Sequence, residues 1–463
     1  MDKKAILNSV RNAEKNIGKV NKDKYRQYFH LMPPVGWLND PNGLCYAKGE
    51  YNVFFQYSPL SPKGSGGRFW GWYKSPDLIH WHYKGVPIVT DTELDKDGVY
   101  SGSALVENDN IHIFCTGNVK HKGEYDYINA GRESNTIYIS PAHWEKHLIF
   151  KNEDYPENYT QHIRDPKVWK EDNKYYMVLG GRKKGDKGAV LIYTSNDISK
   201  GWHFLREITT EKKFGYMWEC PDIFKLNNQY FLSISPQGLE QEGYKYQNIY
   251  QSGYFSIDGD YRADYDLINF TEWDMGFDFY APQTFTDQQG RRILIGWVGM
   301  PDAEYTNPTV EKGWQNCLTV PRVLEYRKGK IYQNPVSEIN KLRTKAVVLT
   351  SGEKASENIC DIVVENINSH TFKGNIKNTL HIEYDNNIFK IILNQYGRKE
   401  RGLILTKLDK LRILVDSSVA EIYINDGEYV FTTMYYAEND FICINCPDSK
   451  ITLWSMDKME VSY

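Results

Sequence analysis

From residue 35 onward, apolar and polar positions alternate in short runs rich in Val, Ile, Tyr and Phe, broken by turns of Gly, Asn, Asp and Lys. A period of two between turn residues predicts strands, and so many short ones predict an all-β chain. Only the start differs. Ile6, Val10, Ala13 and Ile17 recur at helical spacing, which predicts a short amphipathic helix in an N-terminal extension over residues 1–30, packed on the body. Within the strand region five stretches look alike: NDPNGLCYAKGEYNVFFQY from Asn39, YSGSALVENDNIHIFCTG from Tyr100, RDPKVWKEDNKYYMVLGG from Arg164, ECPDIFKLNNQYFLSISP from Glu219, and YAPQTFTDQQGRRILIGW from Tyr280. Each has a small or acidic start, a strand, a polar turn and a second strand. Their first residues fall about 55 to 64 positions apart, somewhat more than the familiar four-stranded repeats of about 40 to 50 residues. The repeat predicts a five-bladed β-propeller over residues 31–330.

The repeat fades near residues 321–326, after which KGKIYQNPVSEINKLRTKAVVL reads as an exit strand, a Pro-marked turn and a short helix. Residues 331–345 are the expected linker. Over residues 346–463 the alternating strands and the turns YDNN at 384–387 and NDGE at 425–428 predict a C-terminal β-sandwich of two sheets. No catalytic constellation stands out there, and Asp416 and Glu421 read as strand-surface groups.

Composition changes this picture little. At 463 residues the chain exceeds the roughly 250–300 at which single cores stop growing, in keeping with two domains. Its 35 Tyr and 12 Trp, in a chain of mean hydropathy −0.60, suit ring faces that pack on sugars, and equally suit strand-rich cores. The 56 basic and 60 acidic residues are dispersed and leave no footprint for nucleic acid. Seven scattered cysteines fit reduced thiols rather than a disulfide framework. Cys443 and Cys446 form one CxxC, but zinc needs about four ligands and no second pair or HxxxH lies near, so no metal and no cofactor is expected. The opening residues hold no apolar run of signal-peptide length and no later segment has the roughly 18 apolar residues of a membrane span. A soluble, cytoplasmic protein without membrane partners is the expectation.

The chemistry lies at the starts of the repeats. In a propeller the sheets are radial, so equivalent positions at the starts of the innermost strands meet near the axis. Asp40, Asp165 and Glu219 occupy that position in three repeats, and Ser101 occupies it in a fourth. Any one of these acids alone would be an ordinary turn residue. Three facing one cavity repel each other and are costly to desolvate, so function explains them better than stability does. Glycoside hydrolysis needs such groups: a carboxylate beside the anomeric carbon and a protonated carboxyl on the leaving oxygen. Glu219, between Trp218 and Cys220, is the natural acid because limited solvation and nearby anions favour a retained proton. No GxSxG, HExxH, Walker-A or GxGxxG-after-strand pattern appears, which argues against serine hydrolases, zincins and nucleotide enzymes. His30, His80 and His82 read as surface or packing residues. GGRKKGDKG at 180–188 reads as a solvated hairpin turn, with Arg182, Lys183 and Lys184 as lesser candidates for an anionic substrate.

WLNDPNG at 37–43, RDP at 164–166 and WECPD at 218–222 together resemble glycoside hydrolase family 32, the family of invertases, fructan hydrolases and sucrose-6-phosphate hydrolases. The resemblance extends through FHLMPPVGWLNDPNG, YSGSA at 100–104, DFYAPQTF at 278–285, ILIGW at 293–297 and LRILVDSSVAEIYINDGE at 411–428, which spans nearly the whole chain. It implies a five-bladed propeller with a C-terminal β-sandwich that cleaves β-fructosides with retention through a fructosyl-enzyme. It further implies that Asp40 is the nucleophile, Glu219 the acid/base, and Asp165 a transition-state stabiliser holding fructose hydroxyls. Asn39, Gln56, Tyr100, Ser101, Arg164 and Trp297 are the implied substrate contacts, with Tyr100 standing where the family more often has Phe. Asn39 and Gln56 can satisfy sugar hydroxyls taken out of water, and Arg164 can hold a carboxylate ionised.

One segment departs from the family. Where WGPMHWGHAKS or a close variant is usual, this chain reads GSGGRFWGWYKS at 64–75, so Ser65 falls at the first tryptophan and Trp72 at a common histidine. The expectation is an altered wall around fructose, with Gly64–Gly67 and Arg68 admitting a larger or anionic substrate or Phe69 refilling the space. The expected substrates are sucrose or sucrose 6-phosphate. The alternatives are an exo-acting fructan or fructo-oligosaccharide hydrolase and a non-catalytic sugar-binding propeller.

Overall fold

The computed structural model describes residues 2–121 and 131–463. The opening helix spans Lys3–Glu14, capped by the Asp2 side chain on the Lys4 N–H. It does not run on to Ile17 as the spacing predicts. The Asn16 side-chain amide donates to the Ala13 carbonyl, competing with helix propagation, and a separate turn of helix covers Ile17–Val20. Val10 is buried against the first sheet, where Glu14 accepts hydrogen bonds from Tyr57 and Tyr83.

Among the described residues, five sheets form the N-terminal part. Their first strands are Gly36–Ala47, Val99–Glu107, Tyr159–Glu171, Met217–Leu226 and Tyr280–Thr286. Each first strand touches the next, and the fifth returns to the first, so the strands that open the five sequence repeats form a ring. Antiparallel neighbours build each sheet outward, through Glu50–Ser58, Phe69–Ser75 and His80–Tyr83 in the first. The ring is tied twice: Trp314–Gln315 pairs in parallel with Gly36 and Trp37 on the inner edge, and Glu460–Ser462 pairs with His80–Tyr83 on the outer edge. Lys330–Pro335 completes the fifth sheet, Ser337–Leu342 forms a 3-10 turn, and Arg343–Leu349 enters the first sheet of the C-terminal part. There two six-stranded antiparallel sheets enclose a core that includes Ile362, Ile382, Phe389, Ile413 and Phe431. Cys443 lies in the strand Phe441–Asn445 of this part, with Cys446 buried just beyond it.

Asp416 and Glu421 are not strand-surface groups. Both are fully buried where the two parts meet. The strand Val419–Ile424 is covered on both faces, so alternation cannot reveal its outward residues. Glu421 takes hydrogen bonds from Arg322 at 2.6 and 3.0 Å, from Tyr423 at 2.6 Å, and lies 3.0 Å from His30 Nε2. Asp416 lies 2.8 Å from His30 Nδ1 and accepts the backbone N–H groups of Tyr28 and Phe29. His30 is therefore neither a surface nor an apolar packing residue. Burial alone would push its pKa down, but the two carboxylates outweigh that and hold it up at about 9. Burial pushes Glu421 up in turn, and Arg322 with His30 overcomes it to leave the acid at about 2.

Candidate active site

All five first strands carry an irregularity at the same place. Opposite the second strand, the first gains one residue between Leu38 and Pro41, Tyr100 and Gly102, Arg164 and Lys167, Glu219 and Asp222, and Tyr280 and Gln283. A bulge with an extra residue bends its strand and re-aims the side chains around it. Asp165, Cys220 and Ala281, each followed by proline, sit at φ values of 63°, 47° and 48°. Non-glycine residues reach that left-handed region only at a cost of about 1–3 kcal/mol, which neighbouring structure must sustain. The strain is therefore repeated at the ring's mouth, where the acids are.

The bulges bring Asp40, Asp165 and Glu219 from three sheets into one cleft of about 520 Å³. Asn39, Gln56, Tyr100, Ser101, Arg164 and Trp297 line the same cleft. Asp40 accepts the Ser101 hydroxyl at 2.5 Å and the Asn39 amide at 3.0 Å, while Trp37 fixes Asn39 with a 2.8 Å bond. Burial pushes the Asp40 pKa up, these two hydrogen bonds oppose the rise, and the charge of Glu219 adds to it. Asp165 is the most deeply buried of the three, 4% exposed, and accepts the Cys220 backbone N–H at 2.9 Å. Burial raises it to about 7, against the pull of Arg164 and with the push of Glu219. The Cys220 thiol lies 3.7 Å from Asp165 and 3.9 Å from Asp40. Burial, followed by the two aspartates, keeps that thiol protonated, so it separates the carboxylates as a neutral weak donor.

The strongest desolvation thus falls on Asp165 rather than on Glu219, whose side chain keeps 16% exposure. Glu219 receives Arg164 at 2.5 and 3.0 Å on one oxygen, and Tyr280 at 2.6 Å and Gln237 at 2.8 Å on the other. Tyr280 and Gln237 were not among the residues singled out from sequence. Tyr280 had a signal, since it opens the fifth repeat; Gln237 ends a second strand and had none. Trp297 is only 3% exposed yet faces the cleft between Trp37 and Tyr280, and its indole N–H meets no protein acceptor. The Gln56 amide donates to the Val99 carbonyl, leaving its own buried oxygen unpartnered. Such orphaned groups at a cleft wall are costly unless a ligand pairs with them.

The 64–72 segment behaves differently from expectation. Gly64 and Arg68 line the cleft, with Lys63 beside them, but Ser65, Phe69 and Trp72 do not. Phe69 is buried in the first sheet's core beneath Gly67, so it refills no space. Trp72 stacks on Phe54 and bonds Asn52, away from the acids. Arg182 is taken by Asp186 and Lys183 by Glu207, and neither they nor Lys184 reach the cleft. Lys120 and Arg132, which the sequence did not mark, complete its basic lining.

Residues 30–335 match the Glycosyl hydrolases family 32 N-terminal domain, and residues 361–459 match the Glycosyl hydrolases family 32 C terminal. Over 448 residues the chain is 38% identical to the sucrose-6-phosphate hydrolase of Bacillus subtilis (strain 168), covering 91% of each. It is 35% identical over 437 residues to a raffinose invertase of Escherichia coli, covering 89% of this chain and 90% of that one. Among solved structures it resembles the sucrose-6-phosphate hydrolase from Lactobacillus gasseri with a TM-score of 0.87 at 29% identity, covering 97% of this chain and 96% of the other.

Proposed function

Because the chain belongs to glycosyl hydrolase family 32, we propose that it cleaves the terminal β-D-fructofuranosyl bond of sucrose or sucrose 6-phosphate by retaining double displacement. The observation that carries this reading is the convergence of Asp40, Asp165 and Glu219, from three sheets, on one cleft with unpartnered donors and acceptors in its wall. Asp40 attacks the anomeric carbon while Glu219 gives its proton to the bridging oxygen, and the glucosyl part leaves. Glu219 then takes a proton from water, which attacks the same carbon and frees fructose and the Asp40 carboxylate. The hydrogen bonds from Ser101 and Asn39 favour the ionised, aimed form of Asp40. Arg164, Tyr280 and Gln237 hold Glu219 for the second step, when it is an anion. Asp165, titrating near neutrality, can accept from or donate to fructose hydroxyls.

In this reading the ring of sheets over residues 31–330 is a five-bladed catalytic domain, residues 346–463 are a supporting sandwich, and 331–345 connect them. The intact trio of acids argues against a silent sugar-binding propeller. A fructan hydrolase draws less support, because Trp72, the replacement that would most alter the wall, stands away from the cleft. A time course of fructose release from sucrose, sucrose 6-phosphate and short inulin-type oligomers, with Glu219→Gln as control, tests the assignment. Release from the first two, abolished in the variant, is expected; release from the oligomers alone would replace the substrate, and release from none would overturn the function.

A further inference from the structure

One wall of the cleft holds more positive charge than the acids require. Arg132 is 8% exposed and, among the described residues, has no carboxylate partner. One terminal nitrogen donates to the Asn118 side chain at 2.8 Å, the other lies 3.4 Å from His162, and Nε is buried with no acceptor. A cation taken out of water with no anion bonded to it is costly, and the charges of Glu219 and Asp165 offset that cost only in part. Arg132 stands beside a second cation, Arg164, and burial together with that charge holds its pKa down to about 10. Stability offers no reason for the arrangement, whereas an incoming anion does.

Two neighbours extend the feature. The guanidinium groups of Arg68 and Arg132 lie 5.2 and 5.8 Å from the centre of the Tyr100 ring, and Lys120 is directly opposite Arg132 in the strand pairing. Arg68, Lys120 and Arg132 come from different strands and loops, and all line the cleft. Neither Arg68 nor Lys120 forms an ion pair with a described residue. The placement relative to the chemistry is also defined. Arg132 and Arg164 share His162, at 3.4 and 3.2 Å, and Arg164 holds Glu219. The basic wall thus continues outward from the group that protonates the leaving oxygen, the side on which the glucosyl part must sit. In sucrose 6-phosphate that part carries a phosphate, and forked guanidinium donors match phosphate oxygens in geometry as well as charge.

We infer that Arg68, Lys120 and Arg132 form a phosphate-binding subsite for the leaving sugar, which makes the enzyme selective for a substrate phosphorylated on its glucosyl unit. The inference rests on the reading of the cleft as a β-fructosidase site. Its test is the ratio of kcat/KM for sucrose 6-phosphate to that for sucrose, in the wild type and in Arg68→Gln, Lys120→Gln and Arg132→Gln. The wild type favours the phosphorylated substrate, and each substitution lowers the ratio at least about tenfold, the scale of one charge-assisted contact. Inhibition of wild-type sucrose hydrolysis by glucose 6-phosphate and by glucose gives a readout independent of any variant's folding. Glucose 6-phosphate inhibits at a concentration at least about tenfold lower. Equal inhibition by the two, or a ratio unmoved in all three variants, overturns the subsite while leaving the hydrolase intact. Absence of fructose from both substrates overturns the reading of the cleft itself.

Discussion

His30 ties the two parts of the protein together through a proton, and that proton has a measurable worth. The imidazole is fully buried between Asp416 at 2.8 Å and Glu421 at 3.0 Å. Its pKa rises from an unfolded value of 6.5 to about 9. Between those limits the folded chain holds a proton that the unfolded chain has released, so unfolding free energy falls by about 1.4 kcal/mol per pH unit. The stabilisation is complete below pH 6.5 and disappears as pH climbs through about 9, a loss of about 3 kcal/mol in all. His30→Gln removes this titration. Urea unfolding of both proteins, followed by tryptophan fluorescence from about pH 6 to pH 10, isolates it as a difference between two curves. The wild-type advantage is greatest at about pH 6 and shrinks by about 3 kcal/mol toward pH 10. A difference that stays flat across the range would refute the reasoning, because it would mean that folding does not change the proton affinity of His30.

Other consequences follow from the same geometry. Arg322→Met leaves Glu421 and Asp274 buried with no guanidinium, and a loss of about 3–5 kcal/mol is expected in thermal or urea unfolding. Asp165→Asn flattens the pH dependence of stability between about pH 4 and 7, because the raised pKa makes the native aspartate most favourable below the unfolded value and less so as pH rises through about 7. Tyr280→Phe removes one neutral donor from Glu219 and lowers kcat about tenfold, read in steady-state fructose release. Trp297→Phe sacrifices no protein hydrogen bond, so Tm falls only by the packing that the smaller ring gives up, while kcat/KM falls by about tenfold.

The parts of this molecule that were legible in the sequence are those that repeat. The start of each strand run recurs: Asp40, Ser101 and Asp165 take the second place in their stretches, whereas Glu219 opens its own and stands one residue earlier, in register with Arg164 and Tyr280. The left-handed backbone at Asp165, Cys220 and Ala281 was not legible, although the proline that follows each of them marked the place. Of the basic wall, Arg68 was marked by the departure of its loop from the family pattern, whereas Lys120 and Arg132 escaped because they sit at paired strand ends. A charged residue at a strand end is usually solvated, and only the burial of Arg132 without a carboxylate sets it apart. Asp416 and Glu421 were misread for a different reason. The pleat separates inside from outside only where one face of a sheet meets water, and here both faces are covered. The helix over Lys3–Glu14 ended short of its periodic pattern because one asparagine side chain, which hydropathy cannot weigh, bonded back to the chain.

The central claim is that Asp40 forms the bond to fructose. Fructose release from sucrose 6-phosphate by Asp40→Ala, measured beside the wild type with folding checked by circular dichroism, tests it most directly. A nucleophile's removal costs at least about 10⁴-fold in kcat, so turnover near background from a folded variant is the predicted result. Release within about tenfold of the wild type would contradict it, and the bond would then have to be made by another group.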